Sequence, residues 1–350
     1  MRVLVTGHDG YIGTVLVPLL QDGGHDVVGL DNFLFNDCFL MSVPSIPAFR
    51  CDVRDVTSAM LEGFDAVVHL AAISNDPMGN LDPSLTYAIN HEASVTLAEA
   101  AKIAGVERFV FSSSCSLYGA ASGDEALDEG ASFNPVTAYG TSKVLVERDV
   151  SRLADDSFSP TFLRNATVFG VSPRLRADLV VNNLVGYALT TGRILMMSDG
   201  SPWRPLVHVE DVARTFVAML EAPREVIHNE AFNVGRNDQN VQITDIAEMV
   251  AKRFPGTEVA YAADASPDLR SYRVDFSKLA RSFPQLDLRW TVEAGIDEVA
   301  EAYSRHGVTL EDFLGPRFVR LEQVQRLLAE GGLSADLRWQ VGATEREVAV

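Results

Sequence analysis

The stretch RVLVTGHDGYIGTVLVPLL, residues 2–20, decides the fold of this chain. Its apolar first part, residues 2–6, predicts a short buried strand, and the periodic apolar residues in 12–20 predict a helix. Three glycines stand between them with the spacing G-x-x-G-x-x-G: Gly7, Gly10 and Gly13. Residues without a Cβ atom allow a tight turn and let a phosphate group approach the backbone at the N-terminus of a helix. The stretch therefore predicts a strand, a phosphate-binding turn and a helix.

A second predicted strand ends in an acidic residue, Asp31, eighteen residues after Gly13. In a dinucleotide site, a carboxylate at this distance accepts hydrogen bonds from the adenosine ribose and repels a 2′-phosphate. The order of strand, glycines, helix, strand and aspartate therefore predicts a site for NAD rather than NADP. The alternative is a glycine-rich turn in another kind of α/β protein.

Strands and helices alternate through the first half of the chain. Further strands are predicted at residues 48–51, 66–70, 108–113 and 161–166, and a long helix at residues 83–104. Near-continuous apolar strands separated by helices are typical of a parallel sheet covered on both faces. We therefore expect an α/β fold with a Rossmann-type doubly wound parallel sheet. Residues at the carboxyl ends of its strands should meet in one crevice: Gly7, Asp31, His69 and 112–114.

The pattern changes near residue 171, which predicts a second unit. Helices are predicted at residues 178–190, 210–221, 243–254 and 291–305. We divide the chain into an NAD-binding Rossmann domain, a smaller C-terminal α/β substrate lobe and a C-terminal helical extension: residues 1–170, 171–305 and 306–350. Some later elements are expected to return to the first sheet. The extension holds one amphipathic helix, residues 318–328, which could cover a partner subunit or its own chain.

Composition and charge exclude several classes of function. The net charge of −19 over 350 residues argues against nucleic acid and anionic membranes as partners, because both require a basic surface. No apolar run is long enough to span a membrane and no leader precedes the first strand, so we expect a cytoplasmic protein. The three cysteines lack metal-ligand spacing, so neither a zinc site nor a disulfide framework is expected.

The net negative charge of the chain would also repel an anionic cofactor. Local arginines must offset the overall negative charge wherever phosphate groups bind. The candidates lie late in the chain: Arg174, Arg176, Arg204 and Arg270.

The segment SSSCSLYG, residues 112–119, is followed by YGTSK, in which Tyr139 and Lys143 stand four residues apart. On a helix this spacing brings both side chains to one face, where a lysine ammonium can lower the pKa of a phenol. Such a tyrosine can act as a base toward an alcohol near neutral pH. The alternative is a surface tyrosine followed by a solvated lysine.

Together these motifs resemble those of the extended short-chain dehydrogenase/reductases, in the NAD-dependent epimerase/dehydratase family that acts on nucleotide sugars. The resemblance covers about residues 1–305 and rests on motifs in a fixed order: TGHDGYIG, LDNF, CDV, HLAA, the helix with Asn90, SSSCSLYG, YGTSK, RPLVHVEDVA and SYRVDFSK.

The resemblance implies a set of cofactor-binding residues: Gly7, Gly10, Tyr11, Ile12, Gly13, Asp31, Asn32, Asp52, Val53, Leu70, Ala71, Ala72, Asn90, Ser112, Tyr139 and Lys143. Within it, Asp52 and Val53 would contact the adenine, and Lys143 would also bind the nicotinamide ribose. Asn90 would make a main-chain or water-mediated link near the nicotinamide, the alternative being an amide inside a helix.

The resemblance also implies catalytic and substrate-binding residues. The catalytic residues would be Tyr139, Lys143 and Ser114, and no metal is implied. The substrate, a nucleotide-diphosphate sugar, would be bound by a further set: Ser114, Ser116, Asn165, Thr167, Asn183, Arg204 and Arg270. Arg204 and Arg270 match positions that clamp the diphosphate, the alternative being structural or solvated arginines. Many sugar epimerases have asparagine where Thr167 stands, so substrate contacts there are expected to differ.

In the family's chemistry, Tyr139 removes the proton of a sugar hydroxyl while a hydride passes from the same carbon to NAD, leaving a bound ketone. Related 4,6-dehydratases carry Asp and Glu where this chain has Cys115 and Ser116. A serine hardly ionises and an unactivated thiol stays protonated, so elimination of water is disfavoured.

The sequence therefore predicts a nucleotide-sugar epimerase that inverts C4 of an NDP-hexose through a transient 4-keto sugar. The alternatives inside the family are a 4-ketoreductase or dehydrogenase and a dehydratase, and outside it a non-catalytic NAD-sensing protein. Relatives pair the helix carrying the tyrosine and lysine with its neighbour, which implies a homodimer. Neither the base nor the sugar can be predicted.

Overall fold

The computed structural model describes residues 1–74, 82–119, 125–266 and 271–340. Its strands are, in chain order, β1 (Arg2–Thr6), β2 (Asp26–Asp31), β3 (Ala48–Arg50), β4 (Ala66–His69), β5 (Arg108–Ser114), β6 (Ser159–Asn165), β7 (Thr167–Phe169), β8 (Arg193–Ser198), β9 (Trp203–His208), β10 (Glu230–Val234), β11 (Asn240–Gln242) and β12 (Glu258–Ser266).

The helices alternate with these strands through the first half of the chain. They are α1 (Gly13–Asp22), α2 (Pro83–Tyr87), α3 (Ala93–Ile103), α4 (Ala138–Ser151), α5 (Val180–Thr191), α6 (Val209–Glu221), α7 (Arg224–Ile227), α8 (Ile243–Arg253), α9 (Ser277–Ser282), α10 (Val292–Arg305), α11 (Leu310–Leu314) and α12 (Arg320–Ala329). Short 3₁₀ turns lie at Val53–Asp55, Ser58–Leu61, Cys115–Tyr118 and Asn237–Gln239.

A seven-stranded sheet forms the centre of the molecule, in the order β10-β6-β5-β4-β1-β2-β3. Its neighbouring strands all run parallel. Every residue of β4 and β6 is buried, as expected for strands covered by helices on both faces. The predicted α/β fold with a parallel Rossmann-type sheet is therefore confirmed.

The strand register brings the polar strand ends to one edge of the sheet. Thr6 at the end of β1 lies opposite both Leu30 and His69. Ser114 at the end of β5 lies opposite Asn165. Because carboxyl ends of parallel strands share an edge, the segments that follow them can line one crevice.

The predicted helix 83–104 contains a π turn. α2 passes into the π-helical residues Ala88–Glu92, which continue directly into α3. Asn90 lies within this turn and is 1% exposed. An extra residue in the helical turn changes the direction of the side chains around it, and such turns often lie at functional sites.

Several elements after β6 surround a second hydrophobic cluster. β11, β9 and β7 form a three-stranded sheet, while β12 and β8 pair parallel in a two-stranded one. Apolar side chains from α5, α8 and α10 pack in this cluster, including Val181, Ile246 and Val299. β10 instead joins the large sheet, parallel to β6.

The C-terminal segment, residues 306–340, covers part of its own chain. Val324 and Leu327 of α12 pack with Leu333 and Leu337 against Leu34 and Ile73. Trp339 Nε1 donates to the carbonyl of Asn32 over 2.6 Å. The sequence left open whether this amphipathic segment covers a partner subunit or its own chain. In the structure it covers its own chain. No helix in the described ranges has both the length and the apolar character needed to cross a membrane.

Candidate active site

A cavity of about 890 Å³ opens at the carboxyl edge of the large sheet. It is lined by most of the residues predicted from the sequence: Gly7, Gly10, Tyr11, Ile12, Gly13, Asp31, Asn32, Asp52, Val53, Leu70, Ala71, Ala72, Ser112, Ser114, Ser116, Tyr139, Lys143, Asn165, Thr167, Asn183 and Arg204. Asn90 lies behind the wall of this cavity, and Arg270 lies outside the described residues. Within the described ranges, no cluster of three or more His, Cys, Asp or Glu side chains is arranged to hold a metal.

The glycine turn, with Gly7, Gly10 and Gly13, forms part of the wall of the cavity. Gly7 has a φ of +72°, which favours glycine, and its N–H donates to the carbonyl of Leu30 over 2.8 Å. A Cβ on Gly13 would lie 2.4 Å from the oxygen of Gly7, so no larger residue fits there. Thr14 makes the first helical bond of α1, to the Gly10 oxygen at 3.1 Å. The amides before it have no helical acceptor and can face a phosphate.

Asp31, which the sequence predicts to bind the adenosine ribose, lines the cavity at the end of β2. One carboxylate oxygen accepts from the Phe33 amide at 2.8 Å and the other from the Asp9 amide at 3.2 Å. Each oxygen keeps capacity for a further donor, such as a ribose hydroxyl. These bonds hold the carboxylate at the end of β2.

Asp52 also lines the cavity, and its carboxylate is paired with the Arg54 guanidinium. It accepts from the backbone N–H of Arg54 at 2.9 Å and from the Arg54 guanidinium at 2.7 Å. Although burial opposes ionisation, these bonds lower the pKa of Asp52 below its ordinary value. Asp52 is therefore ionised and already neutralised by Arg54.

Tyr139 and Lys143 lie on one face of α4. Thr137 caps this helix, since its hydroxyl accepts from the amide of Gly140 over 3.1 Å. Lys143 Nζ donates to the carbonyl of Ser112 over 2.7 Å and lies 5.5 Å from the centroid of the Tyr139 ring. The predicted pair is therefore formed, beside the end of β5.

Burial changes the acidity of Lys143. Its side chain is 3% exposed, and this burial lowers its pKa to about 7, while Glu147 acts in the opposite direction. The pKa of His69 falls to about 3, mainly through burial and also through Lys143. His69 is thus neutral, and its ring bonds to Thr6 and Ser94 at 2.6 and 2.7 Å. The expectation that His69 faces the crevice is wrong: its hydrogen bonds hold it within the core.

The end of β5 presents hydroxyl groups to the cavity. Ser114 Oγ accepts from the amide of Ser116 over 3.1 Å, and Ser112 Oγ accepts from Asn165 Nδ2 over 3.0 Å. Ser116 Oγ and Asn165 Oδ1 are buried and have no hydrogen-bond partner among the residues that the structure describes. Buried polar atoms are nearly always satisfied, so these two indicate a polar ligand.

The side chains of Cys115 and Ser116 lie in different surroundings. Cys115 is 1% exposed within the main core, and its thiol donates to the carbonyl of Arg164 over 3.1 Å. Burial raises the pKa of this thiol well above its ordinary value. Ser116, in contrast, lines the cavity. Only Ser116 therefore occupies a position from which it can touch a substrate.

Asn90 holds the wall of the cavity instead of lining it. Its Oδ1 accepts from the amide of Ile73 and its Nδ2 donates to the carbonyl of the same residue, both at 2.8 Å. These paired bonds attach the segment after β4 to the π turn. Asn90 thus bonds to the main chain of Ile73, and its predicted place near the nicotinamide stays a prediction.

The arginines expected to offset the negative charge differ in position. Arg176 and Arg204 line the cavity, but Arg174 does not. Arg174 Nη2 lies 2.6 Å from an Asp9 carboxylate oxygen, and Arg176 Nη2 lies 2.7 Å from one of Asp178. Arg204 Nη1 donates to the carbonyl of Trp203 over 2.9 Å.

Two lining residues of the C-terminal segment, Arg320 and Leu337, were not predicted. The amphipathic pattern indicated that residues 318–328 bury one face, yet nothing in it identified the surface that they cover. Asp178 was also missed, although its position two residues after Arg176 suggested an ion pair.

The site fits a dinucleotide on its own geometry. The turn supplies amides at a helix N-terminus, Asp31 supplies a fixed acceptor, and Lys143 supplies a buried donor. These groups lie along one cavity at the carboxyl ends of parallel strands, where such folds bind nucleotides.

Sequence comparison identifies related proteins. The pattern of the NAD-dependent epimerase/dehydratase family matches residues 3–235. A UDP-glucose 4-epimerase of Bacillus subtilis (strain 168) is 28% identical over 330 residues, which cover 85% of this chain and 94% of that protein. A second B. subtilis protein, described as an uncharacterized UDP-glucose epimerase, YtcB, is 30% identical over 252 residues, covering 67% and 77%.

Among solved structures, MoeE5 in complex with UDP-glucose and NAD superposes with a TM-score of 0.75 at 28% identity. The match covers 87% of this chain and 99% of MoeE5. MoeE5 has also been solved with UDP-glucuronic acid and NAD.

Proposed function

This chain belongs to the NAD-dependent epimerase/dehydratase family, and we propose that it is a nucleotide-sugar epimerase that inverts C4 of an NDP-hexose through a transient 4-keto sugar. The observation that carries this proposal is the placement of Tyr139 and Lys143 beside the end of β5, in the cavity that the glycine turn also lines. The relatives named UDP-glucose 4-epimerase support the same reaction class.

Tyr139 is the proposed base. The nearby Lys143 ammonium would stabilise the phenolate, so Tyr139 could remove the proton of the C4 hydroxyl. Ser114 would donate to the same sugar oxygen, since its hydroxyl accepts from Ser116 and keeps its own proton available. Bound NAD would supply the hydride acceptor at that carbon and return the hydride to the opposite face of the ketone.

The remaining groups would hold the two ligands. The glycine turn, Asp31, Asn32, Asp52 and Val53 would bind the adenosine diphosphate half of NAD, with Ser112 and Lys143 near the nicotinamide ribose. The unpartnered Ser116 Oγ and Asn165 Oδ1 would bind sugar hydroxyls. Thr167, Asn183 and Arg204 line the part of the cavity assigned to the nucleotide sugar.

The lining of the cavity supports epimerisation over dehydration. A dehydratase needs an acid and a base beside the ketone, and residues 114–119 include no carboxylate. Cys115 is enclosed in the core, and Ser116 hardly ionises near neutral pH.

The test is to incubate the protein in D₂O with UDP-, dTDP-, GDP- and CDP-hexoses and to follow each by NMR. Inversion at C4 without added cofactor and without solvent deuterium is expected. Deuterium at C5 or C6 with loss of water would instead identify a dehydratase. Product formation that consumes added cofactor in equal amount would identify a reductase or dehydrogenase.

The Tyr139→Phe variant should lose at least about 100-fold in turnover, because general-base catalysis contributes about that much or more. It should still bind NAD, because the other cofactor-binding residues of the cavity are unchanged. Tyr261→Phe is the matched control, since Tyr261 lies on β12 and is half exposed. Equal turnover by Tyr139→Phe and wild type would contradict the catalytic assignment and favour the NAD-sensing alternative.

We also propose a homodimer formed through α3 and α4. Ile103 at the end of α3 is 77% exposed, and Leu145 on α4 is partly exposed. Light scattering should give twice the chain mass for the wild type. A double variant, Ile103→Glu with Leu145→Glu, should give the mass of one chain, whereas a monomeric wild type would refute the dimer.

A further inference from the structure

Arg320, the first residue of α12, is a buried cation in the wall of the cavity. It is 4% exposed and lines the cavity together with Phe35 and Leu337. Its Nη2 donates to the carbonyl of Arg174 over 3.3 Å, and its guanidinium carbon lies 4.1 Å from the centroid of the Phe35 ring. Its Nη1 is buried and has no hydrogen-bond partner in the part of the chain that the structure describes.

Arg320 also differs from its two arginine neighbours in how its charge is paired. Arg174 and Arg176 are each paired with an aspartate, at 2.6 and 2.7 Å. Within residues 1–74, 82–119, 125–266 and 271–340, Arg320 makes no ion pair with a carboxylate. Burial, together with Arg176 and Arg174, lowers the pKa of Arg320 to about 10, while Cys38 and Asp178 act in the opposite direction. It is still charged at neutral pH, and a buried charge without a partner is costly.

The position of Arg320 indicates which ligand group could pair with it. Arg174, which accepts its hydrogen bond, donates in turn to the backbone oxygen of Asp9 over 3.2 Å. Asp9 belongs to the glycine turn, directly before Gly10. Phe35, on the other side of the guanidinium, follows Asp31 by four residues. Arg320 therefore lies between the turn expected to cradle phosphate and the segment after β2.

We propose that Arg320 binds the diphosphate of NAD, so that the C-terminal segment forms part of the cofactor site. A guanidinium offers a planar fork of donors that matches phosphate oxygens, and the diphosphate would supply the ion pair that Arg320 does not make with a described carboxylate. Binding would give Nη1 a hydrogen-bond partner and Arg320 a counter-ion. The inference rests on the proposed placement of NAD along the glycine turn.

Calorimetric titration of nucleotide-free protein tests this assignment with three ligands: ADP, adenosine and UDP. Arg320→Gln should bind ADP about 10- to 100-fold more weakly than the wild type, because a charge-assisted hydrogen bond is lost. Its affinities for adenosine, which has no phosphate, and for UDP should stay within about twofold of the wild type. Arg326→Gln is the matched control. Arg326 lies on the same helix, pairs with Asp37 at 3.6 Å and does not line the cavity.

Equal ADP affinities for Arg320→Gln and the wild type would overturn the inference, and so would a loss confined to UDP. Absence of ADP binding by the wild type would be a different failure, since it would refute the cofactor placement itself. Retained ADP binding without epimerisation would refute only the proposed reaction.

Two further measurements do not depend on Arg320→Gln folding normally. Arg320→Met should have an apparent Tm without ligand at or above that of the wild type, because a costly charge is removed, but a smaller rise in Tm with ADP. An equal rise would count against the proposal. A crystal structure of the wild type with NAD should show Nη1 within hydrogen-bond distance of a diphosphate oxygen. A protein atom or water there instead would overturn it.

Discussion

The surroundings of Lys143 oppose the charged form of its side chain. Its Nζ lies 2.7 Å from the carbonyl of Ser112 and 4.5 Å from the centroid of the Phe111 ring. Burial lowers its pKa to about 7, against an ordinary value of 10.5. An anionic ligand would favour the charged form, so the cofactor and the protonation of Lys143 should be linked.

This shift predicts a pH dependence of stability in cofactor-free protein. Between about pH 7 and 10.5 the unfolded chain binds a proton at Lys143 that the folded chain does not. The free energy of unfolding of the wild type should therefore rise with pH relative to Lys143→Met, by up to about 1.4 kcal/mol per pH unit. Below about pH 7 both states are protonated, and the difference should be constant.

Urea unfolding of both proteins at pH 6, 7, 8 and 9 measures this slope. Lys252→Met, at an exposed lysine of α8, controls for loss of a positive charge. If the free energies of unfolding of the wild type and Lys143→Met differed by a constant amount across this range, burial would not lower the pKa of Lys143.

The element formed by β1, the glycine turn and α1 depends on close backbone contacts. A Cβ on Gly13 would lie 2.4 Å from the Gly7 oxygen and 2.5 Å from the His8 oxygen, so its neighbours must be displaced. A Cβ on Gly10 would come no closer than 3.1 Å to the Gly7 oxygen, and Gly10 lines the cavity. The same motif thus contains one glycine needed for packing and one that leaves room for a ligand.

Alanine at these two positions should have different effects. Gly13→Ala should reduce the free energy of unfolding by about 3 kcal/mol or more, because backbone atoms cannot move aside cheaply. Gly10→Ala should cost about 1 kcal/mol or less in stability yet weaken NAD binding at least about 10-fold, since its methyl group would occupy the phosphate cradle. Urea unfolding and calorimetric titration with NAD give the two quantities. Equal stability losses would contradict this division of roles.

Across the whole molecule, local sequence patterns predicted the structural features that depend on residues close together in the chain. The turn at Gly7, the helix of Tyr139 and the buried strands follow from spacing and periodicity, and the family profile and the fold agree with them. The opposite orientations of Cys115 and Ser116 depend on packing between distant strands, which no spacing encodes. Arg320 could not be assigned for the same reason: its surroundings come from residues near positions 35 and 174.

The hydrophobic cluster that joins α12 to Leu34 and Ile73 should couple the stability of the fold to the affinity for the cofactor. Leu327 is 8% exposed and packs in the cluster that includes Leu34, three residues after Asp31. Leu327→Ala should lower the free energy of unfolding by about 2–3 kcal/mol and also weaken NAD binding, because the wall around Leu34 loosens. Leu314→Ala, at a leucine that is 45% exposed, should change both by little. Urea unfolding and NAD titration measure the two effects. A Leu327→Ala variant that lost stability but kept the NAD affinity of the wild type would contradict the link.

The late position of Arg320 in the chain has a consequence for synthesis. Ribosomes make the chain from its N-terminus, and Arg320 follows Gly10 by 310 residues. At about 5–20 residues per second, this delay lasts about 15 to 60 seconds. During that interval the nascent chain carries the turn, Asp31 and the Tyr139–Lys143 pair but does not yet include Arg320. Capture of the dinucleotide should therefore be a late event in the maturation of this protein, after translation has passed α12.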